Sequence, residues 1–351
     1  MPRTAGTSAE HPGLSAEVNV GGARAFGEES ALSGHRLPRT SIRDARLGRV
    51  ARSHGYAARC HQRSHDHRRE QRVRRPAEAD DGDNQIVAGD EGSCSRFTGI
   101  DFRNVGPGWA QRAVAQLEAD VAAGAVGIGE IGKGFGQTIR KADGSRLALD
   151  DPDLDPIWQA AARLKLPVFI HTADPQEFYK PIDYHNERWL ELELFPSRRI
   201  PPDRHPNFEE LMKERDNLFR RNPKTTFVAA HMGWHANDLA RLGRMITEMP
   251  NLYVDVGAVL YDIGRQPREA HDFFVKYQDR ILFGKDSYQP EEYPYYWRVF
   301  ETNDDYFDYY RPYHAFWKLY GIDLPDEVLK KVYYKNALKV TPLLPQAGWP
   351  R

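Results

Sequence analysis

Four side chains able to bind a metal or move a proton each stand at or near the end of a short apolar run. Glu130 lies in Ala125–Ile131 (AVGIGEI), His171 in Leu166–Thr172 (LPVFIHT), His231 in Thr225–His231 (TTFVAAH) and Asp286 in Ile281–Asp286 (ILFGKD). Imidazole and carboxylate ligands together suit Zn, Mn or Fe and leave positions open for water. A metal so held lowers the pKa of that water and polarises a substrate oxygen. Asp286, with His231 beside it, would take the proton of the attacking water and return it to the leaving group. A single His ending a strand is ordinarily a hydrogen-bonded core residue. Two that close consecutive strands, with an Asp on a later one, point to a site. Glu130 stays open between a metal ligand and the buried partner of an arginine. His235 follows His231 by four, but Gly233 interrupts any helix that would align them, which leaves it a supporting or surface role. Gly132-Lys133-Gly134-Phe135-Gly136 lacks a GKS or GKT ending and a following helix, so no phosphate loop is expected there.

Such residues act together only if the elements that carry them converge. Phe97–Phe102, Leu252–Gly257 and the four runs above read as strands. Between them lie helical patterns over Trp109–Gly124, Leu154–Lys165, Phe208–Arg221, Leu239 to Ile246 and Arg268–Tyr277, and Pro325–Lys339 closes the series. Strands that are continuously apolar and alternate with helices predict an α/β fold with a parallel sheet buried on both faces. A doubly wound sheet and an eight-stranded barrel both fit that pattern. In a barrel the C-terminal ends of different strands meet at one mouth, which would gather the four residues. The long segments Thr172–His205 and Ser287–Tyr320 read as loops that set specificity. The aromatic stretch Tyr293–Tyr320 reads mainly as packing, and Arg198, Arg199, Arg265 and Arg268 mainly as solvent-exposed charge.

The composition changes near residue 95. Before it stand 15 arginines, no lysine and 14 large apolar residues, and the first lysine of the chain is Lys133. No periodic pattern runs through this stretch, so it offers too little apolar surface to offset the entropy of ordering it. Two readings compete for residues 1–95: an Arg-rich disordered tail, or a GC-rich gene translated out of frame. Residues 96–345 form the folded unit in either case, with 346–351 as a tail. The 351-residue chain has 49 Lys and Arg against 50 Asp and Glu, a balance that gives no reason to expect nucleic acid or an anionic membrane as partner. Cys60 and Cys94 are too few for a disulfide framework. No run is long enough to span a membrane and no secretory signal is visible, so a cytoplasmic protein is the default.

The segments GEIGKG, VFIHTADP, AAHMGW, DVGA, RILFGKDS and KVYYKNALKV together resemble the amidohydrolase superfamily. The most similar branch is the amidohydrolase-related group that includes aminocarboxymuconate-semialdehyde and resorcylate decarboxylases. GIGEIG is also similar to the TatD-type nucleases, where that Glu is a metal ligand. The resemblance implies a distorted (β/α)8 TIM-type barrel, with His171 and His231 as metal ligands at the fifth and sixth strands. It further implies Asp286, at the eighth, as ligand and general base.

That family begins with an apolar strand ending in His-x-His. The six strands found here would be its third to eighth, which leaves strands one and two to residues 1–95, where nothing reads as a strand. His65-Asp66-His67 has the spacing, but Gln62-Arg63-Ser64 before it and Arg68-Arg69 after it do not belong to a buried strand. The expectation is therefore a barrel lacking two strands. Its enzyme class would be a metal-dependent hydrolase, with zinc as the first choice of metal. It would act on a small organic molecule through an activated water, with self-association possible. The alternatives are a non-oxidative decarboxylase of the same fold, or a catalytically impaired barrel that binds metal weakly.

Overall fold

The apolar runs that end in polar residues form one sheet. The structure, a computed structural model, describes residues 87–88, 95–203, 205–286, 289–347 and 349. All of these fall within one compact unit of the chain, Ala45–Arg351. The strands are β1 (Val87–Ala88), β2 (Ser95–Thr98), β3 (Ala125–Ile131), β4 (Val168–Ile170), β5 (Phe227–Ala229), β6 (Leu252–Asp255) and β7 (Ile281–Leu282). They lie side by side in chain order. From β2 to β7 every pairing is parallel. β1 alone runs antiparallel, with Val87 opposite Arg96 and Ala88 opposite Ser95. Val87–Ala88 lies in the stretch where nothing reads as a strand from the sequence. Two residues with no periodicity leave no signature, and the pairing is set by the neighbouring strand.

Helices fill the crossovers as a parallel sheet requires. They are α1 (Trp109–Ala122), α2 (Asp155–Leu164), α3 (Trp189–Leu194), α4 (Phe208–Arg221), α5 (Leu239–Glu248), α6 (Leu260–Ile263), α7 (Pro267–Lys276) and α8 (Tyr293–Glu301). A final helical stretch runs through α9 (Asp326–Lys330), one π turn (Lys331–Lys335) and α10 (Asn336–Val340). α4 starts where Asn207 accepts the Glu210 N–H and ends at Arg220 and Arg221, which suit its C-terminal dipole. α3 and α8 fall in segments read from sequence as loops or aromatic packing, and α6 in a stretch to which the sequence reading gave no element.

Successive strand residues face opposite sides of the sheet. Phe227, Ala229, Leu252, Val254 and Ile281 pack into the main core with Trp158, Phe219 and the apolar faces of the helices. Their neighbours Val228, Tyr253 and Leu282 pack instead on Val340, while Phe97 and Val126 pack on Leu344. The second face is thus covered in part by the C-terminal segment. Among the described residues β7 does not pair back to β1 or β2, so the (β/α)8-type barrel is open. No helix among them is long and apolar enough to cross a membrane. His65-Asp66-His67 lies outside the described residues.

Candidate metal centre

Glu130 lies within β3, whereas β4, β5 and β7 stop short of His171, His231 and Asp286, and the turns beyond those strands aim the three side chains. Ligand atoms of Glu130, His171 and His231 lie within 4.8 Å of one another. His171 Nδ1 is 2.9 Å from Glu130 Oε1 and 3.2 Å from His231 Nε2. The two imidazoles meet edge to face, with centroids 4.3 Å apart. His171 Nε2 is buried without a hydrogen-bond partner, a condition that costs about 1–3 kcal/mol. Two imidazoles, one carboxylate and an unsatisfied buried nitrogen fit a divalent metal such as Zn, Mn or Fe.

His231 is held by an unusual backbone. His231, Met232, Gly233 and Trp234 all have positive φ, which costs the three non-glycine residues about 1–3 kcal/mol each unless their surroundings enforce it. Enforcement comes from two sides. Asp255, at the end of β6, accepts the His231 N–H at 3.0 Å and the Gly257 N–H at 2.9 Å with the same Oδ1. The fully buried Arg215 of α4 donates to the Gly233 carbonyl at 2.9 Å. The ring is then oriented by the Gly257 carbonyl, 2.8 Å from Nδ1, so that Nε2 faces the centre. A Cβ on Gly257 would come within 3.1 Å of Asp286 Oδ1 and 3.2 Å of Asp255 Oδ1, so the backbone passes close to both carboxylates here.

Charge is concentrated here with little water. Burial pushes the Asp255 carboxyl up to about 6 against the pull of His231, and nearby Glu130 adds to the rise. Burial also opposes a charged His231 ring, yet Asp286, Asp255 and Glu130 outweigh it and raise the His231 pKa. A cation in the centre would relieve the crowding of these carboxylates.

Of the four residues singled out in the sequence, three are brought together and the fourth stands apart. Asp286 Oδ1 lies 3.6 Å from His231 Nδ1, on the ring edge away from the cluster, and its side chain is 53% exposed. His235 is buried rather than on the surface. Burial, then Arg215 and Arg241, push its pKa down to about 2. Arg265 is not free charge: it pairs with Glu187 at 2.7 Å and Asp262 at 3.1 Å. Arg198 pairs with the buried Glu191 at 2.5 Å. Lys133, in the Gly132–Gly136 turn, meets Asp174 at 2.8 Å. Asp255 and Trp234 were not singled out. Asp255 closes LYVD by the same rule that marked the other four, whereas Trp234, whose ring lies 4.5 Å from that of His231, leaves no sequence signal.

A family model described as Amidohydrolase matches residues 69–343. A search of the curated proteins finds no match. Among solved structures, a 2,6-dihydroxybenzoate decarboxylase from Rhizobium is 16% identical, with a TM-score of 0.46 over 81% of this chain and 77% of its own. A dihydroxybenzoic acid decarboxylase from Polaromonas sp. JS666, with bound manganese and 2-nitroresorcinol, is 16% identical at a TM-score of 0.46, covering 81% and 75%. A TIM-barrel protein from Bordetella bronchiseptica is 16% identical at a TM-score of 0.42, covering 71% of this chain and 66% of that one, just under two thirds of its length.

Proposed function

The chain belongs to the amidohydrolase family, and from that premise we propose that it is a metal-dependent hydrolase acting on a small organic substrate. The convergence of Glu130, His171 and His231 ligand atoms within 4.8 Å carries the reading. Those three residues would hold the metal, with zinc as first choice and Mn or Fe as alternatives. When bound, the metal supplies Lewis acidity toward water and a substrate oxygen. Asp286 is exposed enough to meet substrate and takes and returns the proton. His231 links the two functions, with Nε2 toward the ligands and Nδ1 toward the Gly257 carbonyl and Asp286. Asp255 keeps the His231 backbone in place. The same reading places the enzyme in the cytoplasm, acting alone or as a homo-oligomer.

The test is to supply the chain with Zn or Mn and offer amides, esters, lactones and aromatic carboxylates. Metal-dependent appearance of a new acid, alcohol or amine, lost in Asp286→Asn, supports hydrolysis. Release of carbon dioxide from aromatic carboxylates, with no hydrolysis, would instead make it a decarboxylase. Turnover that survives thorough chelation would overturn both.

A further inference from the structure

Lys285 has surroundings that the chemistry above does not use. Its side chain is 5% exposed, which is rare for lysine. The ammonium pairs with Glu292 and lies 5.8 Å from the ring centres of Tyr293 and Tyr310 and 5.9 Å from that of Tyr296. Glu292 in turn accepts from Arg311, at 2.9 Å from Nη2 and 3.3 Å from Nε. Tyr296 also accepts the Ala258 N–H at 3.3 Å, one residue beyond the Gly257 carbonyl that orients His231. The box therefore grips both segments of the proton-moving pair: Lys285 precedes Asp286, and Ala258 follows Gly257.

Among the described residues no hydrogen bond holds the Asp286 side chain. Its one charged contact among the described residues is His231 Nδ1 at 3.6 Å, too long for a hydrogen bond. A general base has to stand within about 2.6–3.2 Å of the proton it takes. Adjacent Cα atoms are about 3.8 Å apart, so immobilising Lys285 fixes the backbone from which Asp286 projects. As a source of stability the buried pair is poor, because desolvating two charges offsets most of their attraction. We propose that Lys285 is a positioning residue, which sets the Asp286 carboxylate beside His231 through its hold on Glu292 and the tyrosine box. The proposal rests on the reading of Asp286 as proton carrier.

The test uses the full chain supplied with Mn or Zn and compares Lys285→Met, Lys285→Arg and Asp286→Asn with the parent. Lys285→Met leaves Glu292 paired with Arg311, so no lone buried charge is created. Three quantities are read: backbone hydrogen exchange over residues 281–286, metal affinity, and kcat and KM on a substrate found in the panel above. In Lys285→Met, exchange is expected to quicken by about tenfold and kcat to fall by about tenfold to a hundredfold. KM and metal affinity should stay within about threefold, and Lys285→Arg should recover most of kcat. If Asp286→Asn is impaired while Lys285→Met keeps the parent's exchange or kcat, the positioning role is overturned and the reading of Asp286 stands. If Asp286→Asn is as active as the parent, that reading falls and the proposal with it. Where no substrate turns over, the exchange measurement decides alone. Should Lys285→Met fail to fold, Glu292→Gln, which weakens the anchor and keeps its shape, is judged by the same readouts.

Discussion

At the scale of single residues, the geometry groups three of the polar side chains and sets the fourth apart, which on the proposed reading separates metal holding from proton transfer. Glu130, His171 and His231 share one small volume, whereas Asp286 stands across the His231 ring. Removing any one of the three, as in Glu130→Gln, His171→Ala or His231→Ala, is expected to weaken metal affinity by about a hundredfold, since even residues that merely orient ligands are worth about 10–100-fold. A competition titration with a chelator checks this. Asp286→Asn should leave that affinity within about fivefold while lowering kcat by about a hundredfold or more, in the range of general base catalysis. Equal losses of affinity in all four variants would place Asp286 among the ligands instead. The residue types at the strand ends were legible because each interrupts an apolar run. Their division of labour was not, because it depends on which nitrogen of His231 faces which neighbour, and the Gly257 carbonyl decides that.

At the scale of elements, strand β3 and the short helix α6 give separate tests. Gly129 has φ +126, and a Cβ there would lie 2.6 Å from the Phe169 carbonyl oxygen. Gly129→Ala combines backbone strain with overpacking, and should cost about 2–5 kcal/mol. Denaturant unfolding measures it, and a loss below about 1 kcal/mol would mean that β3 and β4 part easily, against the buried sheet described here. In α6, burial pushes the Asp262 carboxyl from 3.8 up to about 6, although Arg265 and then Arg188 pull it down. The folded pKa lies above the unfolded one, so the stability that protonation provides is complete below about pH 4 and lost as pH rises through about 6. Asp262→Asn retains the acceptor oxygen without the ionisation. Relative to the parent it should gain up to about 3 kcal/mol between about pH 4 and pH 7, at about 1.4 kcal/mol per pKa unit. Parallel melting profiles for the two proteins across that range would contradict the assignment. The crossover helices α1, α2, α4, α5 and α7 were readable from period and caps. α3, α6 and α8 were not, since they are four to nine residues long and lean on tertiary contacts such as the Arg188–Tyr261 hydrogen bond and the Arg265–Glu187 pair.

At the scale of the whole molecule, an open sheet has consequences for metal binding. Among the described residues no strand pairs with the outer side of β7, where Asn336 Nδ2 donates to the Ile281 carbonyl at 2.8 Å and the Phe283 N–H donates to the Val332 carbonyl at 2.8 Å. The C-terminal segment also covers the second face of the sheet through Val340 and Leu344. The expected outcome for the chain as written is well under one tightly bound metal per chain, read by elemental analysis after dialysis. A full equivalent of tightly held metal would show that three ligands suffice without the His-x-His strand. A translation of the coding DNA in all three frames, through codon 100, is expected to reveal an apolar strand ending in His-x-His. Restoring that frame should raise metal content to about one per chain or more. Its absence from every frame would make the open barrel the native form.

The sequence by itself determined the order of strands and helices, the parallel sheet, the family and the four polar residues at the strand ends. It could do so because apolar periodicity and the cost of burying polar groups act locally, within ten or fifteen residues of chain. Tertiary structure alone decided the rest. It set Asp255 under the His231 backbone, turned the His231 ring, moved Asp286 to the far edge of that ring, and closed the tyrosine box around Lys285. The first three join segments far apart in sequence, and the box joins the turn after β7 to α8 and to Tyr310. No periodicity records such a contact, because what selects it is the satisfaction of buried hydrogen bonds and charges once the elements have packed.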